Sequence, residues 1–283
     1  MAFTTIIGTG DLAAHLTDPA WIPVDCRFQL ADEAWGAREY LIAHIPGAVY
    51  AHLNKDLSGP LTGMNGRHPL PDPHVLVQTF IRLGIGTGMQ VVAYDQDNGM
   101  FASRLWWLLR WMGHERVAVL DGGFQKWIAE ERPVSSGKNA RATKKFTGSQ
   151  RPEMTVDAGE VAALIGRRDA MLMDARAPER YRGDLEPIDR LPGHIPGAVN
   201  YFFQQNVDER GVFRSPDELR EQLSAAIGTI PPERVVAYCG SGVTACHNLL
   251  AMEHVGLTGA KLYAGSWSEW SSDPARPVER SAK

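Results

Sequence analysis

Short apolar runs alternate with longer segments of helical character along the second half of the chain. Residues 171–174 and 234–238 are dominated by apolar side chains, which is typical of buried strands in a parallel sheet. Residues 215–227 and 243–255 have the length of helices, and Pro216 favours a helix start at the first of them. This alternation predicts a parallel sheet with helices on both faces, in which reactive groups lie beyond the carboxyl ends of the strands.

The pattern of the second half repeats that of the first. Three segments recur in the same order: residues 25–27 as 174–176, residues 44–49 as 194–199, and residues 91–94 as 235–238. The offset of about 145 residues is too long for a solenoid and indicates a duplicated domain. We therefore expect an α/β protein with two tandem domains, residues 1–133 and 152–283, joined by a polar linker at residues 134–151.

Composition narrows the range of functions. Hydrophobic residues make up 44% of the 283 residues, charged residues make up 22%, and the net charge is −4. These values are typical of a globular protein and give no electrostatic footprint for nucleic acid. No apolar run reaches the length of a membrane span, and the nine histidines show no metal-ligand spacing beside cysteines. We expect no nucleic-acid, membrane or metal partner.

The cysteines indicate the compartment and the chemistry. The chain has three of them, Cys26, Cys239 and Cys246, which cannot close a disulfide framework. We therefore expect a cytoplasmic protein, in which each cysteine serves either packing or chemistry. Cys26 follows a predicted strand and Cys246 lies on a predicted helix, so both are predicted to be buried packing residues.

Cys239 stands where a predicted strand ends and a predicted helix begins. Glycines at 240 and 242 allow the loop to curl and to turn successive N–H groups inward, and the helix adds its positive end. A sulfur in such a cradle is favoured as a thiolate, which makes it a nucleophile. We assign catalysis to Cys239 and Ser241. The loop residues expected to contact the substrate are Gly240, Gly242, Val243 and Thr244.

A similar loop serves cysteine phosphatases, which place an arginine six positions after the nucleophile to clamp the phosphate. Ala245 stands at that position, which argues against a phosphatase. A thiolate without the phosphate clamp suits another electrophile, and sulfane sulfur is the natural candidate. Asp95 occupies the position of Cys239 in the first repeat, so the N-terminal copy is predicted to be catalytically silent.

Two His-Ile-Pro-Gly-Ala segments and the sequence Cys-Gly-Ser-Gly-Val-Thr-Ala at 239–245 resemble the tandem rhodanese-like sulfurtransferases over residues 6–270. The loop is similar to that of the 3-mercaptopyruvate branch, since the thiosulfate branch typically has a basic pair in place of Gly240 and Ser241. The resemblance implies two rhodanese-like domains, each a parallel sheet flanked by helices on both faces. It also implies an inactive N-terminal copy and no metal or organic cofactor.

The resemblance further implies donor-binding arginines before the second His-Ile-Pro-Gly segment. Arg180 matches the family motif, and Arg190 falls near the second family arginine with a spacing that departs by one residue. An aspartate that the mercaptopyruvate branch often uses in a relay is replaced by Asn54. Because no side-chain cation lies within the Cys239 loop, charge compensation is expected from backbone amides and Arg180, which favours the monoanion mercaptopyruvate over the dianion thiosulfate.

The reaction implied is a transfer in two steps. Sulfur moves from 3-mercaptopyruvate or thiosulfate to Cys239 as a persulfide, and then to cyanide, a small thiol or a reduced protein dithiol. Two alternatives remain open at this point. One is a thiosulfate-specific enzyme, and the other is a persulfide relay protein that docks a protein partner and turns over small donors slowly.

Overall fold

The computed structural model describes residues 2–281 and divides the chain into two compact units. Unit 1 consists of residues up to Gly59, together with Pro71–Arg151 and Val207–Phe213, and unit 2 contains the rest. Each unit therefore includes a short segment from the other half of the chain. The segment Pro60–Leu70 belongs to unit 2, which also contains Cys239.

Unit 1 is built on a five-stranded parallel sheet in the order β1-β5-β4-β2-β3. Its strands are β1 (Ile6–Ile7), β2 (Trp21–Asp25), β3 (Val49–Tyr50), β4 (Gln90–Tyr94) and β5 (Val117–Leu120). Its helices are α1 (Thr9–Ala13), α2 (Trp35–Ile42), α3 (Leu53–Asp56), α4 (Pro73–Leu83), α5 (Ala102–Trp111) and α6 (Gly123–Ala129). Every residue of the central strands β2 and β4 is buried, as their apolar runs require.

Unit 2 is built on a four-stranded parallel sheet in the order β7-β6-β8-β9. Its strands are β6 (Met171–Asp174), β7 (Val199–Asn200), β8 (Val235–Tyr238) and β9 (Lys261–Leu262). Its helices are α7 (Ala158–Ala162), α8 (Pro178–Arg182), α9 (Pro216–Ile227), α10 (Thr244–His254) and α11 (Ser266–Trp270). Short 3₁₀ turns cover Pro152–Met154, Phe203–Asn206 and Pro232–Arg234. The predicted α/β class with helix-flanked parallel sheets is confirmed.

Capping side chains fix where helices begin in unit 2. Ser215 accepts the backbone N–H of Glu218 while the Glu218 carboxylate accepts the N–H of Ser215, and Pro216 occupies the first turn. Asp157 and Glu160 make the same reciprocal pair at the start of α7. These capping boxes satisfy N–H groups that no helical carbonyl can reach. Over residues 2–281, no helix is long and apolar enough to cross a membrane.

The motifs that reveal the duplication form one buried cluster in each unit. In unit 2, Arg176 pairs with the carboxylate of Asp174 at 2.6 Å and donates to the carbonyl of Gly193 at 2.7 Å. The hydroxyl of Tyr238 accepts the N–H of Ile195 at 3.2 Å. The equivalent contacts in unit 1 are made by Asp25, Arg27, Ala43, Ile45 and Tyr94. These contacts tie the carboxyl ends of β6 and β8 to the His-Ile-Pro-Gly turn, which fixes the sheet edge where the reactive loop begins.

Candidate active site

Cys239 lies directly after β8, at the start of a loop that leads into α10. Its side chain is buried, and its Sγ accepts the backbone N–H of Gly242 at 3.1 Å. Gly242 has a φ of +76°, and a Cβ at this position would lie 2.4 Å from the carbonyl oxygen of Ala264. Only glycine fits this turn, which curls the loop so that an amide points at the sulfur.

The start of α11 hydrogen-bonds to the backbone of the Cys239 loop. The hydroxyl of Ser266 accepts the N–H of Cys239 at 3.1 Å and donates to the carbonyl of Tyr263 at 3.0 Å. Ser268 donates its N–H to the carbonyl of Gly240 at 2.9 Å. Ser266 is fully buried with a φ of +54°, a conformation that costs free energy for any residue other than glycine. The first turn of α11 therefore fixes the backbone on both sides of the sulfur.

Ser241 is held by a histidine from the segment 60–70. Its Oγ lies 2.7 Å from Nδ1 of His68, and both side chains are buried. The donor and acceptor of this bond depend on the histidine tautomer. His68 precedes Ser241 by 173 positions and carries no local motif, so this contact could not be predicted from the sequence.

Two guanidinium groups lie over Gly240. Measured from the position that a Cβ of Gly240 would occupy, Nη2 of Arg67 is at 2.8 Å and Nη1 of Arg180 at 3.4 Å. Arg180 is the predicted donor-binding residue, and Arg67 was not predicted. Arg190 is exposed and donates to the carbonyl of Ser272 at 3.4 Å. Within the described part of the chain no hydrogen bond joins Arg190 to the loop, and its role in binding stays a prediction.

Two carboxylates hold these arginines in place. Asp189 pairs with Arg67 and with Arg180, each at 2.9 Å, and Glu186 pairs with Arg180 at 2.7 Å and with Arg176 at 3.4 Å. Burial would raise the pKa of Glu186, but hydrogen bonds from Arg180 and from the backbone of Asp189 outweigh it and lower the pKa below its ordinary value. Glu186 therefore stays ionised near neutral pH, and the ion pairs of Glu186 and Asp189 hold the guanidinium groups beside the loop.

The other two cysteines are buried, as the sequence predicted. Cys246 lies on α10 and its Sγ contacts the carbonyl of Gly242 at 3.3 Å. In unit 1, burial and the negative charges of Asp25 and Asp95 raise the pKa of Cys26 well above its ordinary value. Cys26 is therefore a thiol at neutral pH and a poor nucleophile.

In the equivalent loop of unit 1, the backbone N–H groups bind the carboxylate of Asp95. Asp95 follows β4 as Cys239 follows β8, and its side chain is buried. Its two oxygens accept the N–H groups of Gly99, Phe101 and Ala102 at 2.7–3.0 Å. The first copy therefore retains an amide cradle for an anion but fills it with Asp95.

We expect the carboxyl group of Asp95 to titrate near pH 6. Burial raises its pKa from 3.8 to about 6, against the opposing effect of the three N–H groups. The folded state then binds the proton more tightly than the unfolded state, so this group's stabilisation is complete below about pH 4 and is lost as pH rises through 6. The loss amounts to about 3 kcal/mol in the free energy of unfolding.

Carbon-13 NMR of the aspartate carboxyl groups measures this pKa directly, and Asp95→Asn identifies the resonance. The thermal midpoint of Asp95→Asn should also depend less on pH between 4 and 6 than that of the unmodified protein. A midpoint of titration at or below pH 4 would show that the backbone amides outweigh burial.

Comparison with known proteins places this geometry in a family. The rhodanese-like domain matches residues 9–130 and 157–273. The chain is 44% identical to a probable 3-mercaptopyruvate sulfurtransferase of Pseudomonas aeruginosa, with 98% of this chain and 99% of that protein covered. It is 39% identical to a putative thiosulfate sulfurtransferase of Mycobacterium tuberculosis, with 97% and 96% covered.

A solved structure agrees with these sequence matches. The 3-mercaptopyruvate sulfurtransferase from Leishmania major superimposes with a TM-score of 0.85 at 30% identity, covering 95% of this chain and 74% of that one. The two matched regions include both copies of the repeat and the loop that holds Cys239. The chain therefore belongs to the rhodanese-like family and is a sulfurtransferase with two rhodanese-like domains.

Proposed function

We propose that the protein transfers the sulfane sulfur of 3-mercaptopyruvate, through a persulfide on Cys239, to a thiol or to cyanide. The observation that carries this proposal is the loop geometry: the Sγ of Cys239 accepts the N–H of Gly242, and the guanidinium of Arg180 lies beside Gly240. The name of the P. aeruginosa relative, which matches over nearly its full length, supports the choice of donor.

In the first half-reaction the thiolate of Cys239 attacks the thiol sulfur of mercaptopyruvate. The Sγ–S bond forms as the S–CH₂ bond breaks, and the bonding electrons leave on the enolate of pyruvate. The thiol proton of the donor then moves to the enolate carbon, which gives pyruvate and a persulfide anion. Amides of the loop stabilise this anion as they stabilise the thiolate, because preorganised N–H groups favour negative charge at a fixed point.

We assign three roles to the side chains around the loop. Arg180 binds the carboxylate of the donor, since a guanidinium matches two carboxylate oxygens. Ser241, oriented by His68, donates its hydroxyl to the oxygen of the departing enolate. Glu186 positions Arg180 and does not touch the donor. Arg190 remains a candidate for a peripheral contact with the carboxylate.

In the second half-reaction an acceptor takes the outer sulfur and releases the thiolate of Cys239. Cyanide leaves as thiocyanate, and a thiol acceptor leaves as a persulfide. No step uses a metal or an organic cofactor. A reducing cytoplasm suits this cycle, because all three cysteines are free thiols and Cys239 must return to its reduced form.

Thiosulfate is the second candidate donor. The same attack would break its S–S bond and release sulfite. Arg67 favours this candidate, because it adds a second guanidinium beside Gly240 where the sequence had indicated one. The name of the M. tuberculosis relative points the same way.

Steady-state kinetics with both donors tests the proposal. We expect mercaptopyruvate to have the higher kcat/KM with cyanide or a small thiol as acceptor, and intact-protein mass to rise by one sulfur atom after donor treatment. Rapid loading followed by slow release to every small acceptor would instead indicate a persulfide relay protein. If neither donor adds sulfur to the protein, the proposed function is contradicted.

A further inference from the structure

We infer that unit 1 contains a binding site for a small organic phosphate, in a cavity beside β3 that the sulfur-transfer chemistry does not use. The cavity has a volume of about 560 Å³, which lies within the range of small-ligand sites. Its wall is formed by α2, the edge strand β3, the start of α3, the end of α4 and the linker residues 138–141. All of these segments belong to unit 1, whereas Cys239 belongs to unit 2.

The linker wall of the cavity is fixed by the contacts of Asn139. Its backbone N–H donates to the hydroxyl of Tyr40 at 3.1 Å. Its amide nitrogen donates to the carbonyl of Ala48 at 2.9 Å and contacts Nε2 of His44 at 2.9 Å. These bonds hold the linker against α2 and the turn before β3. The segment that the sequence predicted as a polar linker is therefore a structured wall, and the residues on either side of Asn139 have a fixed place in it.

Arg141 places a half-buried guanidinium in this wall. Its Nη1 donates to the carbonyl of Trp21 at 3.0 Å, and its Cβ lies 2.8 Å from the position that a Cβ of Gly84 would occupy, so the end of α4 packs closely on its stem. Among residues 2–281 no carboxylate pairs with this guanidinium, and burial lowers its pKa below the ordinary value. The desolvation of this charge is uncompensated in the free protein, and a bound anion would offset it.

The other charges on the cavity wall add to this positive potential. Lys55 and Lys138 are exposed, and within the described part of the chain neither of them pairs with a carboxylate. Arg82 pairs with Asp56, the one carboxylate among the lining residues, which also accepts the backbone N–H of His52 at 2.8 Å. The wall therefore carries four cations against one anion, in a protein whose net charge is −4. Cations concentrated in this way raise the local concentration of anions.

The rest of the wall is aromatic and apolar. The hydroxyls of Tyr40 and Tyr50 both donate to backbone carbonyls, at 2.9 and 3.0 Å, so the two rings contribute mainly carbon atoms to the cavity. Val49 and Leu83 line it as well. Covering such a surface with an apolar or planar group stabilises a complex. An inorganic ion would use the cations alone, whereas a ligand with an apolar body uses both parts of the wall.

The charge on the wall favours a phosphate ester over a carboxylate. A phosphate monoester carries a charge of about −1.5 to −2 at pH 7 and has three strong acceptor oxygens. The cations without carboxylate partners, on Arg141, Lys55 and Lys138, can together neutralise that charge and donate to several oxygens. A single carboxylate has less charge and fewer oxygens. The ligand we expect is therefore a phosphate ester of an aromatic or apolar body, of the size of a mononucleotide.

Calorimetric titration of the full chain with adenosine 5′-monophosphate tests this site, with inorganic phosphate, adenosine and citrate as comparison probes. We expect one molecule of the nucleotide to bind per chain, at least about ten-fold more tightly than inorganic phosphate or adenosine, because it alone contacts both the cations and the apolar wall. No binding of the nucleotide, or equal binding of inorganic phosphate, would overturn the inference. Tighter binding of citrate would also overturn it, because the site would then select carboxylates.

Variants of the linker locate the binding. Arg141→Met should weaken nucleotide binding about ten-fold or more, and Lys138→Met about two- to five-fold, because an exposed cation contributes less than a half-buried one. Lys145→Met is the matched control, since Lys145 is an equally exposed lysine of the linker that does not line the cavity, and it should bind the nucleotide unchanged. Lys138→Met removes no contact of the fold, so it tests the site even if Arg141→Met is unstable. Equal weakening in Lys138→Met and Lys145→Met would overturn the inference.

Competition with the sulfur donor separates this site from the loop in unit 2. In Cys239→Ala, which cannot take up sulfur, mercaptopyruvate should not displace the nucleotide. The value of kcat/KM for mercaptopyruvate should stay within about two-fold in Lys138→Met, because the cavity lies in unit 1. Displacement of the nucleotide by mercaptopyruvate would place the phosphate beside the Cys239 loop and would overturn the inference.

Discussion

Cys239→Ser is expected to lower turnover with every donor by about ten-thousand-fold or more. A serine hydroxyl is far less nucleophilic than a thiolate, and it cannot carry the transferred sulfur as a persulfide. The loop geometry should survive, because the side chain differs by one atom and the backbone is held by Ser266 and Ser268. The rate of thiocyanate formation from mercaptopyruvate and cyanide measures the effect.

The two remaining cysteines supply the controls for this experiment. Cys26→Ala and Cys246→Ala should retain turnover within a few-fold, since both thiols are buried and are predicted to serve packing. Peptide mapping after donor treatment should place the added sulfur on Cys239. The Sγ of Cys246 contacts the carbonyl of Gly242. If the added sulfur were found mainly on Cys246, the assignment of Cys239 as the sulfur carrier would be wrong.

The loop around Cys239 could be predicted because its chemistry is local. A strand end, two glycines and a helix start follow one another within a few positions, and each has a backbone consequence that a single sequence reveals. Gly242 has the positive φ that this interpretation requires, and its N–H contacts the sulfur. The duplication predicted the fold for the same reason, because the repeated segments are contiguous.

Arg67 and His68 could not be predicted, because they reach the loop through a long-range contact. Their segment lies about 170 positions before Ser241 and joins unit 2 instead of unit 1. The residues within the loop carry no side-chain cation, whereas Arg67 adds one beside Gly240 from outside the loop. The expected preference for a monoanionic donor therefore rests on Arg180 alone and weakens once Arg67 is included.

The duplication carries a signal for the role of Ser266. In the duplication, Gly122 and Gly123 correspond to Gly265 and Ser266, and both Gly123 and Ser266 have a φ near +55°, at +56° and +54°. A serine at a position where the other copy has glycine indicates that hydrogen bonds of its hydroxyl offset the free-energy cost of the positive φ. Its bonds to the N–H of Cys239 and the carbonyl of Tyr263 supply that compensation.

Gly242→Ala is expected to lower kcat/KM about a hundred-fold or more with both donors. The new methyl group would lie 2.4 Å from the carbonyl oxygen of Ala264 and 3.0 Å from its Cα, so the loop has to move. The N–H of Gly242 is the group that donates to the Sγ of Cys239 at 3.1 Å, and displacing one preorganised donor of this kind costs about 10²- to 10³-fold in rate.

Gly166→Ala provides the matched control for backbone strain. Gly166 also belongs to unit 2 and has a φ of +79°, close to the +76° of Gly242, but nothing lies within 4 Å of its Cβ position. Both substitutions should destabilise the fold by about 1–2 kcal/mol through the left-handed conformation, as thermal unfolding would show, whereas activity should fall in Gly242→Ala alone. Equal activity in the two variants would mean that the amide of Gly242 does not stabilise the reacting sulfur, and the cradle would have to be assigned to other N–H groups of the loop.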